Sequence, residues 1–275
     1  MLKKYFLTLG LFVIFSPSVL WGQEKFTAPE VAAKYQGYFF YPGKDFKVLV
    51  SMQLIEKGGQ ERIRELTMLR KNSPTGKEQK YFIYFHQPAD VQGMSFMVYK
   101  YPKKDDDRWL FMPALNLVKR IAAKDKRSSF VGSDFTYEDV SGRDLEEDDF
   151  SILREEKISD FGSMGQAGDC YVLKSVPKDP KSADYSYRLS WIDKESFLPL
   201  KEEYYDLKGE LYKIFSAEEL KQIQGFWTVT KRRMQNVKTG HQTLVSFKDI
   251  QYNLGMEENL FTERYLKNPP SKWIK

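Results

Sequence analysis

The side chains in this 275-residue chain that most readily do chemistry are two histidines, one cysteine and two acidic runs. A zinc hydrolase wants histidines paired at helical spacing. His86 and His241 lie far apart and form neither an HExxH nor a His-x-His pattern. They read as surface or edge-of-strand histidines. Cys170 would need a partner base to act as a nucleophile, and no local spacing supplies one. It reads as a small buried hydrophobe. Asp105-Asp106-Asp107 and Glu146-Glu147-Asp148-Asp149 lack the alternating ligands and central glycine of a calcium loop. They read as solvated turns. There is no GxSxG elbow. Gly162-Ser163-Met164-Gly165 precedes no helix pattern and has no lysine to cradle a phosphate. The 38 acids leave many carboxylate pairs open, and nothing singles one out. The residues therefore point to no catalytic centre, no metal and no cofactor.

What stands out is apolar bulk of a particular kind. Aromatics make up 15% of a chain whose apolar total is 41%. Tyr and Phe favour strands, and they can also line a groove. The segment 108–121, RWLFMPALNLVKRI, joins apolar bulk to positive charge. Exposed, it would suit a membrane surface or a protein partner. Buried, it is a strand with snorkelling arginine and lysine.

The elements that position these residues are mostly strands. A helix is predicted from Thr27, a capping box with Glu30, to near Tyr41. Pro29 is tolerated in its first turn, and Val31, Tyr35 and Tyr38 or Phe39 share one face. Residues 46–57 and 61–71 then alternate about Gly58-Gly59, which predicts a hairpin. Further strands are predicted at 78–86, 94–101 and 107–112, with a short continuation through Arg120-Ile121. Residues 124–150 read as short helices and loop, with Ser133 or Asp134 as a cap. Strands resume at 152–160, 169–176, 185–193, 197–206, 209–217, 226–235 and 240–252. A short helix at 257–267 precedes a proline-rich end expected to be loosely held. Roughly eleven strands with short turns make an antiparallel meander. Several strands are apolar on both faces, Tyr81 to Phe85 most clearly. A thick core or a ligand cavity explains that equally well.

The N-terminus sets an address. Lys3 and Lys4 precede an apolar run from Tyr5 to Phe15, broken by Ser16-Pro17, with Gly22 before Gln23. This is the pattern of a cleavable export signal over residues 1–22. Pro17 interrupts it before the length of a bilayer span, and no cysteine nearby could carry a lipid. Residues 23–275 are expected to form one domain. Without Lys3 and Lys4 the net charge of +5 falls to about +3, too mild for nucleic acid. A lone cysteine allows no internal disulfide, so packing must supply the stability.

Residues 107–140, DRWLFMPALNLVKRIAAKDKRSSFVGSDFTYEDV, carry a resemblance. Trp109, Pro113, Arg120-Ile121, Ser129-Phe130 and the run Gly132 to Asp139 are similar to the hallmark of the outer-membrane lipoprotein-sorting protein family. This family sits within the periplasmic lipoprotein carrier and receptor superfamily. Gln92-Gly93-Met94-Ser95-Phe96 resembles the segment before that hallmark. The likeness runs from about residue 27 to 265. It implies a strongly curved, unclosed antiparallel β-barrel with short helices covering the mouth. It also implies an apolar cavity that hides acyl chains, each CH₂ being worth about 0.8 kcal/mol to remove from water. The hallmark is not that of the dedicated lipoprotein carrier, and the resemblance extends to proteins thought to work beside resistance-nodulation-division-type exporters.

The expected function is therefore periplasmic carriage of a lipophilic cargo, by a monomer in transient contact with membranes. An adaptor for an inner-membrane exporter and an enzyme of envelope lipids or glycans are the alternatives. Expected cavity residues are Phe82, Tyr84, Phe96, Val98, Trp109, Phe111, Tyr187, Leu189 and Trp191. The expected lid or its support is Phe130, Asp134, Phe135, Tyr137 and Glu138, with Asp134 and Glu138 capping or pairing locally.

Overall fold

The computed structural model describes residues 26–161 and 166–274. The leader expected at 1–22 and the glycine-rich run Gly162-Ser163-Met164-Gly165 lie outside these residues. Helix α1 (Ala28–Phe40) opens the chain. The Thr27 backbone N–H donates to Glu30 Oε2 at 2.8 Å, so the predicted cap forms. Val31, Ala32 and Tyr35 are buried. Phe39 follows them inward, against the Phe215 ring, whereas Tyr38 is half exposed.

Six strands follow: β1 (Asp45–Ile55), β2 (Glu61–Asn72), β3 (Gln79–Gln87), β4 (Ser95–Lys100), β5 (Asp107–Met112) and β6 (Leu117–Ile121). A second run comprises β7 (Asp148–Phe161), β8 (Gln166–Pro177), β9 (Tyr187–Asp193), β10 (Pro199–Tyr205), β11 (Leu211–Ile223), β12 (Phe226–Asn236) and β13 (Gln242–Tyr252). All thirteen join one antiparallel sheet, ordered β6-β5-β4-β3-β2-β1-β13-β12-β11-β10-β9-β8-β7. Each half is a sequential meander. A single seam, β1 against β13, unites them, with Phe46 opposite Tyr252. The sheet does not close, because β6 and β7 have no strand partner on their outer sides.

The thirteen strands exceed the rough count from the pattern, and β11 runs six residues past its predicted end. Bulges at Ala217–Leu220 break the alternation there and hide the strand. Gln224 and Gly225, both with positive φ, then form the two-residue turn into β12 that the twist of a hairpin favours.

Both faces of β3 to β5 are apolar because each has a partner. One face carries Tyr81, Ile83, Phe85, Phe96, Val98 and Leu110 into the main core. The other carries Phe82, Met97 and Phe111 against Met256, Leu260, Phe261 and Leu266. These last residues belong to the C-terminal segment, which contains α3 (Glu263–Lys267) and α4 (Ser271–Ile274). The proline-rich end, expected to be loose, is pinned instead. Ile274 is 8% exposed, its carbonyl accepts from the Thr67 hydroxyl, and Ser95 Oγ donates to the Leu266 carbonyl at 2.6 Å.

Candidate functional site

The chain leaves the sheet at one free edge, β6, and re-enters it at the other, β7. The connecting segment, residues 122–147, contains the hallmark run and does not stay outside. It plugs the inner face of the sheet. Phe130 and Phe135 are buried in the main core. The Phe130 ring meets Phe96 at 5.4 Å and Tyr137 at 5.5 Å, both edge-on. Short helix α2 (Tyr137–Ser141) follows, capped by Thr136, whose hydroxyl accepts from the Asp139 N–H. The cap is thus Thr136 and not Ser133 or Asp134, which sit in the preceding turn. Gly142 ends α2 at φ +79°, and a Cβ there would lie 3.0 Å from the Phe40 ring. Plug and α1 therefore touch where only glycine fits.

Polar groups bolt the plug to the sheet. Asp134 Oδ2 accepts from Thr243 Oγ1 at 2.7 Å and lies 2.6 Å from His241 Nδ1. Asp139 Oδ2 pairs with Lys213 Nζ at 3.0 Å. Glu138 receives Lys126 at 2.8 Å and Arg143 at 3.4 Å. Arg143 also holds Asp148 at 2.8 Å, and Arg64 donates to the Val131 carbonyl. Asp134 pairs across 107 and 109 positions, whereas Glu138 pairs within the plug segment, with Lys126 and Arg143. His241, read as a surface or edge-of-strand histidine, sits just before β13 and is one of these bolts.

Three cavities with aromatic or aliphatic walls lie around the plug and α1, of about 50, 80 and 20 Å³, and a larger charged hollow of about 620 Å³ is lined by Lys103, Lys126, Glu147 and Lys178 among others. The first is walled by Tyr35, Phe39, Glu138, Asp139, Arg188, Glu202 and Tyr204, among others. Its carboxylates are occupied. Besides the pairs above, Glu202 accepts from Ser190 at 2.8 Å and Tyr204 at 2.9 Å, and sits 3.5 Å from Arg188. Burial and the Glu202 charge drive the Tyr204 and Tyr35 hydroxyls far above the usual tyrosine range. The second is mostly aromatic, with Phe40, Phe46, Tyr81, Trp227, Phe247 and Tyr252. The third is lined by Val50, Met52, Leu66, Phe130, Phe135 and Val245. Arg232 borders all three.

The structure divides the nine residues expected to line a cavity. Phe96 and Val98 face the main core beneath the plug. Phe82, Tyr84, Trp109 and Phe111 face the C-terminal segment. Leu189 and Trp191 pack around Cys170 and Val172, and Tyr187 stacks on Tyr205 at 4.4 Å. None of the nine borders the three cavities. On β3 and β5 the inward set is one residue out of step with the expected one. A one-residue change of phase swaps the two faces of a strand, and here both faces are apolar. Of the lid candidates, Phe130, Phe135 and Glu138 do border cavities. Arg232 went unnoticed because Lys231-Arg232-Arg233 looks like a solvated run. The available signal was its phase, in step with Met234 on the inward face.

Cys170 is buried and its thiol contacts the Gly168 carbonyl at 3.6 Å. Burial pushes this thiol up to about 12, so little thiolate exists at neutral pH. The native protein should not react with a disulfide reagent at pH 8, and unfolding should release one equivalent of thiol. Rapid labelling of the native protein would contradict the packing.

Among the described residues no helix is long and apolar enough to cross a membrane, and no group of His, Cys, Asp and Glu could hold a metal. A family model described as "Uncharacterized protein" matches residues 77–268. No curated protein matches the chain. A DUF1329 family protein from Desulfovibrio piger is 30% identical, with 86% of this chain and 97% of that one covered at a TM-score of 0.78. A domain named for outer membrane lipoprotein sorting, from Vibrio parahaemolyticus, is 33% identical, with 87% and 98% covered and a TM-score of 0.78. A LolA superfamily protein from Nitrosomonas europaea is 22% identical, with 88% and 100% covered and a TM-score of 0.66, which speaks for the fold. On these similarities the chain belongs to the outer-membrane lipoprotein-sorting protein family, DUF1329, with the LolA superfamily fold.

Proposed function

We propose that this protein is a non-catalytic periplasmic carrier that takes acyl chains of a lipoprotein or another lipid against the inner face of its sheet, for transfer between envelope membranes. The plug carries this reading. It is one continuous segment, it joins the two free edges of the sheet, and it covers aromatic surface with cavities left around it. A closed barrel would have no such door. The three cavities against the inner face total far less than the several hundred cubic ångströms of a typical small-molecule site, and the larger hollow is lined mainly by charged side chains unsuited to an acyl chain. The described state is therefore the closed one, and cargo enters as the plug or α1 moves aside. Carboxylates held in ion pairs or hydrogen bonds support a role in latching over one in catalysis. The periplasmic address rests on the leader pattern of residues 1–22 and on the relatives.

Mass spectrometry of lipids co-purifying from the native envelope tests the proposal. Recovery of a lipophilic species at a defined stoichiometry is the expected result. Absence of any such species, together with no uptake of lipid analogues, would rule carriage out. It would leave the second reading, a binding subunit beside an exporter, which the small cavity volumes favour.

The β5–β6 connection fits the membrane contact that transfer requires. Leu115 and Leu117 are 68% and 47% exposed, and Lys119, Arg120 and Lys124 are exposed beside them. Burying one leucine in a bilayer surface is worth about 1.5–3 kcal/mol. Leu115→Asp with Leu117→Asp should weaken binding to anionic vesicles at least ~10-fold and leave stability within about 0.5 kcal/mol of the parent. Equal sedimentation of parent and variant with vesicles would remove this surface from the account.

A further inference from the structure

Arg232 is enclosed among aromatic rings, and the surface it retains faces the cavities. Its guanidinium lies 4.9 Å from the Phe247 centroid, 5.1 Å from Phe135 and 5.8 Å from Phe39. Its Nε has no hydrogen-bond partner. Among the described residues no carboxylate forms an ion pair with it. Asp139 favours its charge from a distance, but Asp139 Oδ2 is taken by Lys213 and the Thr136 N–H. The other cation of the second cavity, Arg70, also has an unpartnered Nε, but its terminal nitrogens are taken. It donates to the Phe40 carbonyl at 2.7 Å and to the Pro42 carbonyl. Arg232 therefore stands apart from Lys126, Arg143, Arg188 and Lys213, each of which has its carboxylate.

A cavity built only to hide alkyl chains has no use for such a group. A buried cation without a partner costs several kcal/mol, and ring faces recover only part of that. An anion arriving at the guanidinium recovers the remainder through a forked, charge-assisted contact. We propose that the second cavity seats the acidic head group of the cargo, a carboxylate or phosphate carried on an acyl chain, with the Arg232 guanidinium as its counter-ion. This rests on the carrier reading and names its cargo class. The volume of about 80 Å³ is the bulk share of two or three waters. It admits a head group and not a chain. The third cavity, about 20 Å³ in this closed state, shares Met68, Val140, Arg232 and Phe247 with the second and continues along Val50 and Leu66, the apolar wall on which the chain lies once the plug moves aside.

Trp227 lines the second cavity and supplies an intrinsic fluorescence readout. Laurate and 1-dodecanol share a chain and differ in charge. The wild-type protein should bind laurate at least about tenfold tighter than dodecanol, the worth of one charge-assisted contact. Arg232→Gln should erase that preference and leave dodecanol binding unchanged. Inorganic phosphate alone should compete weakly. Equal affinity of the wild type for laurate and dodecanol would overturn the head-group site while leaving carriage intact. A preference that survives in Arg232→Gln would overturn it too, as would phosphate binding as tight as laurate, which marks a free-anion site. Failure of both amphiphiles to bind would remove the carrier reading along with it. If Arg232→Gln does not fold, the wild-type contrast between the two amphiphiles decides alone.

Discussion

Asp139→Ala should lower the stability of the protein by about 3–5 kcal/mol, the usual cost of breaking a buried ion pair from one side. Asp139 serves three purposes at once. Its Oδ2 accepts from the Thr136 N–H at 2.8 Å, which closes the capping box of α2. The same oxygen pairs with Lys213 on β11. Its charge also lies within reach of Arg232. Removing it leaves Lys213, only 8% exposed at the side chain, without its carboxylate beside a second buried cation. The combination Asp139→Ala with Lys213→Met should recover much of the loss, because the uncompensated charge is then gone. Urea unfolding measures both. A loss under 1 kcal/mol would show that the plug is held elsewhere. Acid should act in the same direction. Burial alone would push the Asp139 carboxyl up, but Lys213 and Thr136 outweigh it and hold the carboxyl below its ordinary value. A depressed carboxyl adds stability that is complete above the unfolded value of about 3.9 and is lost as pH falls through the folded one. The gap between parent and Asp139→Asn should therefore narrow below about pH 4.

The second large effect concerns Phe130. This ring is 2% exposed and packs on Phe85, Phe96 and Tyr137. Truncation to alanine should cost about 3–5 kcal/mol. If the plug leaves its seat to admit cargo, that loss falls on the closed state, and opening becomes easier by up to the same amount. A ligand that binds only the open state then binds more tightly, in proportion to the gain in open population. Phe130→Ala should melt earlier and yet take up laurate at least ~10-fold more tightly. Earlier melting with unchanged or weaker uptake would mean that the plug stays seated and cargo enters by another route. The two readouts move in opposite directions only if the ring belongs to a door.

Local signals in the sequence read well. The Thr27–Glu30 cap, the hairpin about Gly58-Gly59 and the order of the strands need only neighbouring residues to specify them. The hallmark run was marked by its likeness to the family, since composition and periodicity gave only short helices and loop there. What escaped is long-range. Asp134 meets His241 and Thr243 across 107 and 109 positions, and no periodicity encodes that. The phase of β3 and β5 was hidden for a different reason. Alternation identifies the inner face only when the outer face is polar, and the C-terminal segment makes the outer face apolar too. Arg232 was masked by its neighbours, since a basic run looks the same whether or not its middle member points inward.

The seam between β1 and β13 has a consequence for how the chain comes to its shape. Every other pairing joins strands adjacent in sequence, so each half can zip locally and quickly. The seam joins residues about two hundred positions apart at the middle of the sheet. Its loop-closure cost rises only with the logarithm of that length, but it arises all at once and late. Until residue 252 is available, the chain holds two half-sheets, each with one raw edge that the finished sheet covers. A nascent chain is therefore sticky along β1, the strand whose partner is made last. An escort that shields an exposed strand would matter most in that interval, before the final strand arrives to cover it.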